Sequence, residues 1–130
     1  MDMVKMPKKK KKKKKSEPEF NIKARFQNVK VLIETNRPKE AIAYIYLVYC
    51  AVMDHKFKKP RLPHQTIREY AITAVNKLGQ SPESTYSFVK RIEDIIYGGL
   101  EPTKDQIINT AQLFSTLYKE ITKKTFSFSI

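Results

Sequence analysis

Apolar residues recur along most of the chain with the period of an α-helix. Ile22, Phe26, Val29 and Ile33 are spaced so that all four fall on one helical face. The same period returns in three later segments, and a further segment after the first is apolar along most of its length; proline, glycine or capping residues bound these segments. We therefore expect five helices, at about residues 22–35, 38–55, 66–78, 82–97 and 103–121.

Capping residues predict where two of these helices begin. Thr66 with Glu69, and Thr103 with Gln106, have the spacing of a capping box, in which two side chains satisfy backbone N–H groups at a helix start. A further helix should begin at the Ser-Pro pair 81–82, because serine caps well and proline suits the first helical position.

Glycines predict two helix ends. Gly79 should end the third helix. Gly98 is expected to take the left-handed conformation that ends the fourth helix, with Leu100 folding back as the apolar contact of that cap.

The second segment is apolar nearly all round. Its longest apolar run, AIAYIYLVYCAVM, covers thirteen residues from Ala41 to Met53, whereas a membrane-spanning helix needs about 20. We expect a central buried helix, with its tyrosine hydroxyls reaching the edge of the core.

The fold class follows from these helices and from the scarcity of turn residues. The chain has three glycines and no hairpin signal. We predict an all-α fold, a single antiparallel bundle of about five helices. Two regions are expected: residues 1–19 as a basic low-complexity arm, and residues 20–130 as one helical domain.

The charge is concentrated in the arm. Residues 1–16 carry nine lysines and one acid, which is +8 of a formal net charge of +13. Because like charges repel and nothing apolar is available to bury, this lysine arm (residues 1–19) is predicted to be disordered when free. Extended, fifteen residues reach about 50 Å. Adjacent lysines neutralise phosphates and release counterions without reading sequence.

A second basic cluster is predicted in a proline-punctuated loop, HKFKKPRLPHQ, residues 55–65. It is either a solvated connection or a second phosphate contact, with its aromatic residue stacking on a base. The candidate nucleic-acid-binding residues are therefore Lys8, Lys9, Lys10, Lys11, Lys12, Lys13, Lys14, Lys15, Lys56, Phe57, Lys58, Lys59 and Arg61.

Groups that could support catalysis do not form a recognisable motif. Cys50 lies in the apolar run, which suits a small core residue and a reducing compartment. His55 and His64 lack an evident third metal ligand. Glu93 and Asp94 are expected on the solvent face, with Lys90 and Asp94 paired at i,i+4. We expect no enzyme activity, no cofactor, no metal and no small-molecule substrate.

Three segments resemble a known family: NRPKEAIAYIYLVY (36–49), TIREYA (66–71) and RIEDIIYGGLEPTKDQI (91–107). They are similar to an uncharacterised helical domain found at the C-terminal end of prokaryotic transglutaminase-like membrane proteins, over about residues 24–121. The resemblance implies an all-helical fold and no catalytic residues. This chain differs by the absence of a membrane span and of a transglutaminase core, and by its lysine arm. Arg68 either binds a carboxylate inside the protein or contacts a partner.

These patterns favour a cytoplasmic, non-catalytic RNA-binding protein. The expected partners are RNA, most plausibly ribosomal RNA, and neighbouring ribosomal proteins. The alternatives are a protein-interaction module at an anionic membrane surface and a non-specific DNA-binding protein. DNA is the less favoured nucleic acid, because no helix shows a cluster of base-reading polar residues.

Overall fold

The computed structural model describes residues 21–99 and 101–128, and these residues form five α-helices and no strand. The all-α prediction is confirmed. The predicted disorder of the arm and the predicted contact of Leu100 lie outside the described residues. The helices are α1 (Ile22–Glu34), α2 (Pro38–Phe57), α3 (Ile67–Leu78), α4 (Pro82–Gly98) and α5 (Lys104–Thr122).

Both predicted capping boxes form. The Thr66 hydroxyl accepts a hydrogen bond from the Glu69 N–H at 3.0 Å, and the Glu69 carboxylate accepts one from the Thr66 N–H at 2.9 Å. Thr103 and Gln106 make the same reciprocal pair at 3.1 and 2.8 Å. Each box satisfies two N–H groups that a helix start leaves without partners, so α3 and α5 begin where the local sequence indicates.

Two helix ends differ from the prediction. α2 continues two residues beyond His55 and stops at Lys58, whose backbone is left-handed with φ of 57° and whose N–H bonds the Asp54 carbonyl at 2.9 Å. Phe57 packs against the core, and this contact holds the last turn in place. In α4, Gly98 is still helical and Gly99 takes the left-handed conformation, with φ of 76°.

Side-chain contacts show which helix ends lie together. The Asn28 amide donates to the Tyr44 hydroxyl at 2.8 Å, and a short turn joins α1 to α2, so these helices run in opposite directions. The Ser84 hydroxyl donates to the Glu120 carboxylate at 2.7 Å and aligns the start of α4 with the end of α5. α2 packs on α1, α4 and α5 and is the central element, as predicted.

Aromatic rings fill the core where these helices meet. The ring of Phe88 lies 5.2 Å from that of Tyr49 and 6.2 Å from that of Phe114, measured between centroids. All three side chains are fully buried. Beyond α5 the chain folds back, and the Phe126 ring packs 5.0 Å from Phe26 and 5.2 Å from Tyr118. The C-terminal segment 125–128 therefore closes the core over α1 instead of forming a strand.

A polar group holds α2 to the α3–α4 junction inside the core. The Tyr49 hydroxyl donates to the Gln80 side-chain oxygen at 3.1 Å, and the Thr85 hydroxyl donates to the same oxygen at 3.4 Å. Tyr49 and Thr85 are fully buried, and Gln80 is nearly so. The Tyr49 hydroxyl thus ends inside the protein and not at the edge of the core. Burial raises its pKa, since an ionised phenolate there would lose its water.

Replacing Gln80 should destabilise the domain through the partner it leaves behind. In Gln80→Ala the buried Tyr49 hydroxyl has no acceptor, which costs about 1–3 kcal/mol of unfolding free energy. The double variant Tyr49→Phe, Gln80→Met also removes the closer of the two donors, so it should recover the part of the loss that the Tyr49 hydroxyl causes and leave only the longer Thr85 contact unmade. Urea unfolding followed by circular dichroism measures both values. A double variant as unstable as Gln80→Ala would show that the loss arises from packing and not from the hydroxyl.

Candidate nucleic-acid interface

The eight consecutive lysines, Lys8–Lys15, lie outside the described residues, so their role stays a prediction. The arm joins the body at Asn21, whose side-chain oxygen caps α1 by accepting the Ala24 N–H at 3.0 Å. The first described residue is therefore held by the helix, and the point at which the arm is attached is fixed at the start of α1.

The predicted basic loop divides into two parts. Lys56 and Phe57 belong to the last turn of α2, where Lys56 is exposed and Phe57 is half-buried against the core. Lys58 and Lys59 follow the helix and are exposed. Phe57 offers to a base only the part of its ring that does not face the core, and the exposed side chains of Lys56 and Lys59 lie beside it on the surface.

The loop is held to the body through its backbone. The buried Tyr70 side chain donates its hydroxyl hydrogen to the Lys59 carbonyl at 2.6 Å. The Arg61 Nη1 donates to the Gln65 carbonyl at 2.7 Å, and the Leu62 N–H donates to the Gln65 side chain at 3.0 Å. Part of the Arg61 guanidinium is thus committed to the loop itself. The lysines project from a fixed backbone, which is what a positioning contact requires.

Cys50 lies beside this loop and is half-buried. Burial raises the pKa of its thiol, and hydrogen bonding and charge from Tyr46 and Arg61 offset part of that effect. A protonated thiol is a poor nucleophile, since the thiolate is the reactive form. This environment is that of a structural cysteine.

Other candidate ligand groups are placed as follows. His55 is in the last turn of α2, and His64 is in the loop before α3. Among the described residues, no group of three or more histidine, cysteine or acidic side chains is arranged to hold a metal ion. The same part of the chain contains no helix with both the length and the apolar character needed to cross a bilayer.

Two predictions about surface charges have different outcomes. Lys90 and Asp94 pair at 3.5 Å, as predicted. Glu93 does not face solvent: its carboxylate binds the Arg68 guanidinium at 2.6 Å and is half-buried. Arg68 also lies 5.4 Å from the centre of the Tyr86 ring. The internal role considered for Arg68 is therefore the one observed, and it ties α3 to α4.

The helix directions gather positive charge at one end of the bundle. We call this the arm end and define it as residues 22–25, 54–59, 82–85 and 119–124. It holds eight cations and three acids, whereas residues 31–41, 94–99 and 101–105 at the opposite end hold three cations and five acids. The arm-end cations are Lys23, Arg25, Lys56, Lys58, Lys59, Lys119, Lys123 and Lys124.

The start of α1, to which the arm is attached, and the basic loop lie at the same end of the bundle. The Asn28–Tyr44 contact sets the first residue of α1 level with about residue 50 of α2. At 1.5 Å per residue, Lys58 then lies roughly 12 Å farther along the axis, beyond the first residue of α1. Both basic clusters are visible in the sequence, but the position of the loop relative to the start of α1 depends on how α1 and α2 pair.

Two surface clefts of about 300 Å³ lie on the described part of the protein. One is next to the loop and includes the carboxylate of Glu69, with apolar walls from Leu62 and Ile72. The other lies between α1 and the C-terminal segment, where the arm joins the body. It is lined by Lys23, Phe26, Gln27, Lys30, Ser127 and Phe128.

The second cleft was not predicted from the sequence. The spacing of Lys23, Gln27 and Lys30 places them on one side of α1, and this signal was available in the sequence. The opposite wall was not, because it depends on the chain folding back after α5.

Comparison with protein-family profiles, with curated proteins and with solved structures finds no match to this chain. The resemblance of residues 24–121 to the helical domain of transglutaminase-like membrane proteins therefore stays a prediction. The residues that carry it have structural partners here. Thr66 and Glu69 cap α3, Tyr70 holds the loop and Arg68 binds Glu93.

Proposed function

We propose that this chain is a non-catalytic RNA-binding protein. Its lysine arm neutralises phosphates, and its helical body docks on a ribonucleoprotein particle, for which the ribosome is the leading candidate. The observation that carries the proposal is the excess of positive charge at the arm end, on a rigid scaffold beside the point where Lys8–Lys15 attach. The corresponding partners are ribosomal RNA and neighbouring ribosomal proteins, in the cytoplasm.

The two basic regions have complementary tasks in this proposal. A run of eight lysines offers many equivalent registers, so it supplies affinity but not orientation. Lysines on the fixed loop supply orientation, since phosphate contacts from a rigid scaffold set position and register. This division requires both regions to face the same partner, and the pairing of α1 with α2 permits it.

The apolar surface favours RNA over a membrane. In the described residues, the large hydrophobic side chains with substantial exposure are Val31, Leu47, Leu62, Ile72 and Tyr97, and none belongs to the arm end. A peripheral membrane protein commonly adds apolar insertion to charge attraction. The arm end offers charge alone, which suits a fully hydrated polyanion.

The experiment that tests the function compares three polyanions at one salt concentration. Full-length protein is titrated with single-stranded RNA, duplex DNA and vesicles containing phosphatidylserine, and its sedimentation with ribosomal subunits from cell extract is measured. The proposal expects tightest binding to RNA and association with a subunit. Preference for vesicles supports the membrane alternative, and preference for duplex DNA supports the DNA alternative.

Charge reversal at the arm end should remove particle docking without unfolding the protein. Lys56→Glu with Lys59→Glu places two acids where phosphates are expected to bind, and neither lysine side chain lies in the core. We expect loss of stable co-sedimentation with ribosomal subunits at 0.15 M salt, while weak binding to bulk RNA persists through the arm. The thermal melting temperature should change little.

The matched control is Lys39→Glu with Lys104→Glu, an equal change of charge at the opposite end. Both positions lie in the first turn of a helix, where an acid is well tolerated. This control should sediment like the wild type. Equal losses in the two variants would show that total charge matters and that the arm end has no special role.

A further inference from the structure

The cleft between α1 and the C-terminal segment combines two kinds of group. Lys23 and Lys30 stand two helical turns apart on α1, with Gln27 between them, and Phe128 lies on the facing wall. Lys23 is exposed and Lys30 is half-buried. Two lysines, a glutamine and a phenylalanine thus line one concave surface of about 300 Å³.

The aromatic wall is held in place by other rings. Phe128 packs 5.3 Å from Phe26 and 5.7 Å from Phe126, measured between ring centroids, and it remains partly exposed. Phe126 in turn contacts Phe114 and Tyr118 of α5. A ring fixed in this way presents its open part to the cleft with little loss of rotamer freedom on binding.

The spacing of the cations suits a nucleic-acid backbone. Seven helical residues separate Lys23 from Lys30, which is roughly 10 Å along the axis, and lysine side chains are long and flexible. The two amines can therefore contact the phosphates on either side of one nucleotide. Among the described residues that line this cleft none is acidic, in contrast to the cleft that contains Glu69.

The cleft is also close to the residue at which the arm is attached. Asn21 caps α1 two residues before Lys23, so the point at which the arm is attached lies next to the cleft. A duplex keeps its bases stacked inside, whereas a single strand can turn a base outward onto an aromatic ring. The combination of phosphate-binding amines and an aromatic face therefore points to a single strand.

We propose that this cleft binds one nucleotide of single-stranded RNA, with phosphates on Lys23 and Lys30 and the base stacked on Phe128. The inference rests on the proposed RNA-binding function and adds a second class of contact to it. The arm and the loop contact phosphate only, whereas this cleft distinguishes RNA that exposes bases from a fully paired or base-free polyanion.

The first test separates stacking from charge. Full-length protein is titrated with octauridylate and with an octamer of the same charge whose nucleotides lack bases. Stacking predicts that Phe128→Leu weakens octauridylate binding roughly five- to a hundredfold, the range expected for one base on one ring, and leaves the base-free octamer unchanged. Tyr97→Leu, which removes an exposed ring at the opposite end, should leave both affinities unchanged.

The second test concerns the amines. The logarithm of the binding constant for a single strand falls with the logarithm of the salt concentration, with a slope of about −0.7 per phosphate contact. Each contact therefore raises the binding constant by about 0.6 log units at about 0.15 M salt relative to about 1 M. Lys23→Gln with Lys30→Gln should therefore weaken both octamers about tenfold and reduce the slope by about 1.4. Lys39→Gln with Lys104→Gln at the opposite end is the charge-matched control and should have little effect.

The outcomes distinguish the cleft from the general function. If the intact protein binds neither octamer, the RNA-binding proposal and this one fall together. If it binds both octamers equally well and Phe128→Leu changes neither, the cleft is overturned while RNA binding stands. Should Phe128→Leu lower the melting temperature, amide NMR shifts of the wild type decide the matter. Shifts at Gln27 and Ser127 with octauridylate, absent with the base-free octamer, support the cleft, and their absence overturns it.

Discussion

Replacing Lys8–Lys15 with serine in the full-length chain is expected to lower RNA affinity at 0.15 M salt by about three orders of magnitude. The logarithm of the affinity falls with the logarithm of the salt concentration with a slope of roughly −0.7 per neutralised phosphate, so about six engaged lysines give a total slope near −4. The gain from counterion release is lost when these lysines are replaced. Serine keeps the length and reach of the arm. Fluorescence anisotropy with labelled single-stranded RNA, measured at salt concentrations from about 0.05 to about 0.5 M, gives the affinity and its dependence on salt.

Arginine at the same eight positions is the matched control. It preserves charge and should keep a slope near −4, because counterion release depends on the phosphates neutralised and not on the cation's shape. The helical circular dichroism of both variants should equal that of the wild type. A serine variant with wild-type affinity would contradict the assigned role of the arm, and RNA binding would then depend on the body alone.

Replacing Phe114 with alanine is expected to cost about 3–5 kcal/mol of unfolding free energy, the usual range for a buried phenylalanine truncated in a core. Domains of this size are typically stable by about 5–15 kcal/mol, so this single change would leave little stability. The ring is fully buried and joins α5 to three other parts of the fold. Its centroid lies 5.7 Å from Phe26, 6.2 Å from Phe88 and 5.9 Å from Phe126.

Phe114→Leu keeps most of the buried volume and should cost much less, which makes it the control for packing. Urea unfolding at constant m-value gives the comparison. Since Phe126 packs on Phe114, the alanine variant should also loosen segment 125–128, detectable as a changed amide NMR shift at Ser127. A loss below 1 kcal/mol would mean that the aromatic core can collapse around the missing ring, and it would contradict the central position assigned to Phe114.

Local sequence was sufficient to predict the helices. The spacing of Ile22, Phe26 and Val29 selects one buried face of α1, and these side chains are buried. The capping boxes at Thr66 and Thr103 act within four residues, so the starts of α3 and α5 could be predicted from local sequence. The length of the apolar run in α2 likewise marks it as the central helix.

Where the local sequence was compatible with two conformations, contacts between distant residues determined which one forms. Either glycine of the pair 98–99 can be left-handed, and Gly99 is the one that adopts this conformation. The basic residues after Asp54 resemble a loop, but packing of Phe57 extends α2 to that residue. The Glu93 side chain has a polar character typical of the surface, yet Arg68 on another helix draws it into an ion pair.

The candidate site was only partly predictable for the same reason. Sequence alone identified the lysine run of the arm and the cations from Lys56 to Arg61, because composition and charge need no partner. That the start of α1, the loop and the end of α5 lie at one end of the bundle depends on the direction in which each helix packs. The cleft facing Phe128 depends on a segment that returns about a hundred residues after α1 begins. Periodicity and capping act between residues a few positions apart, whereas these juxtapositions come from burial of side chains distant in sequence, so only the folded structure could determine them.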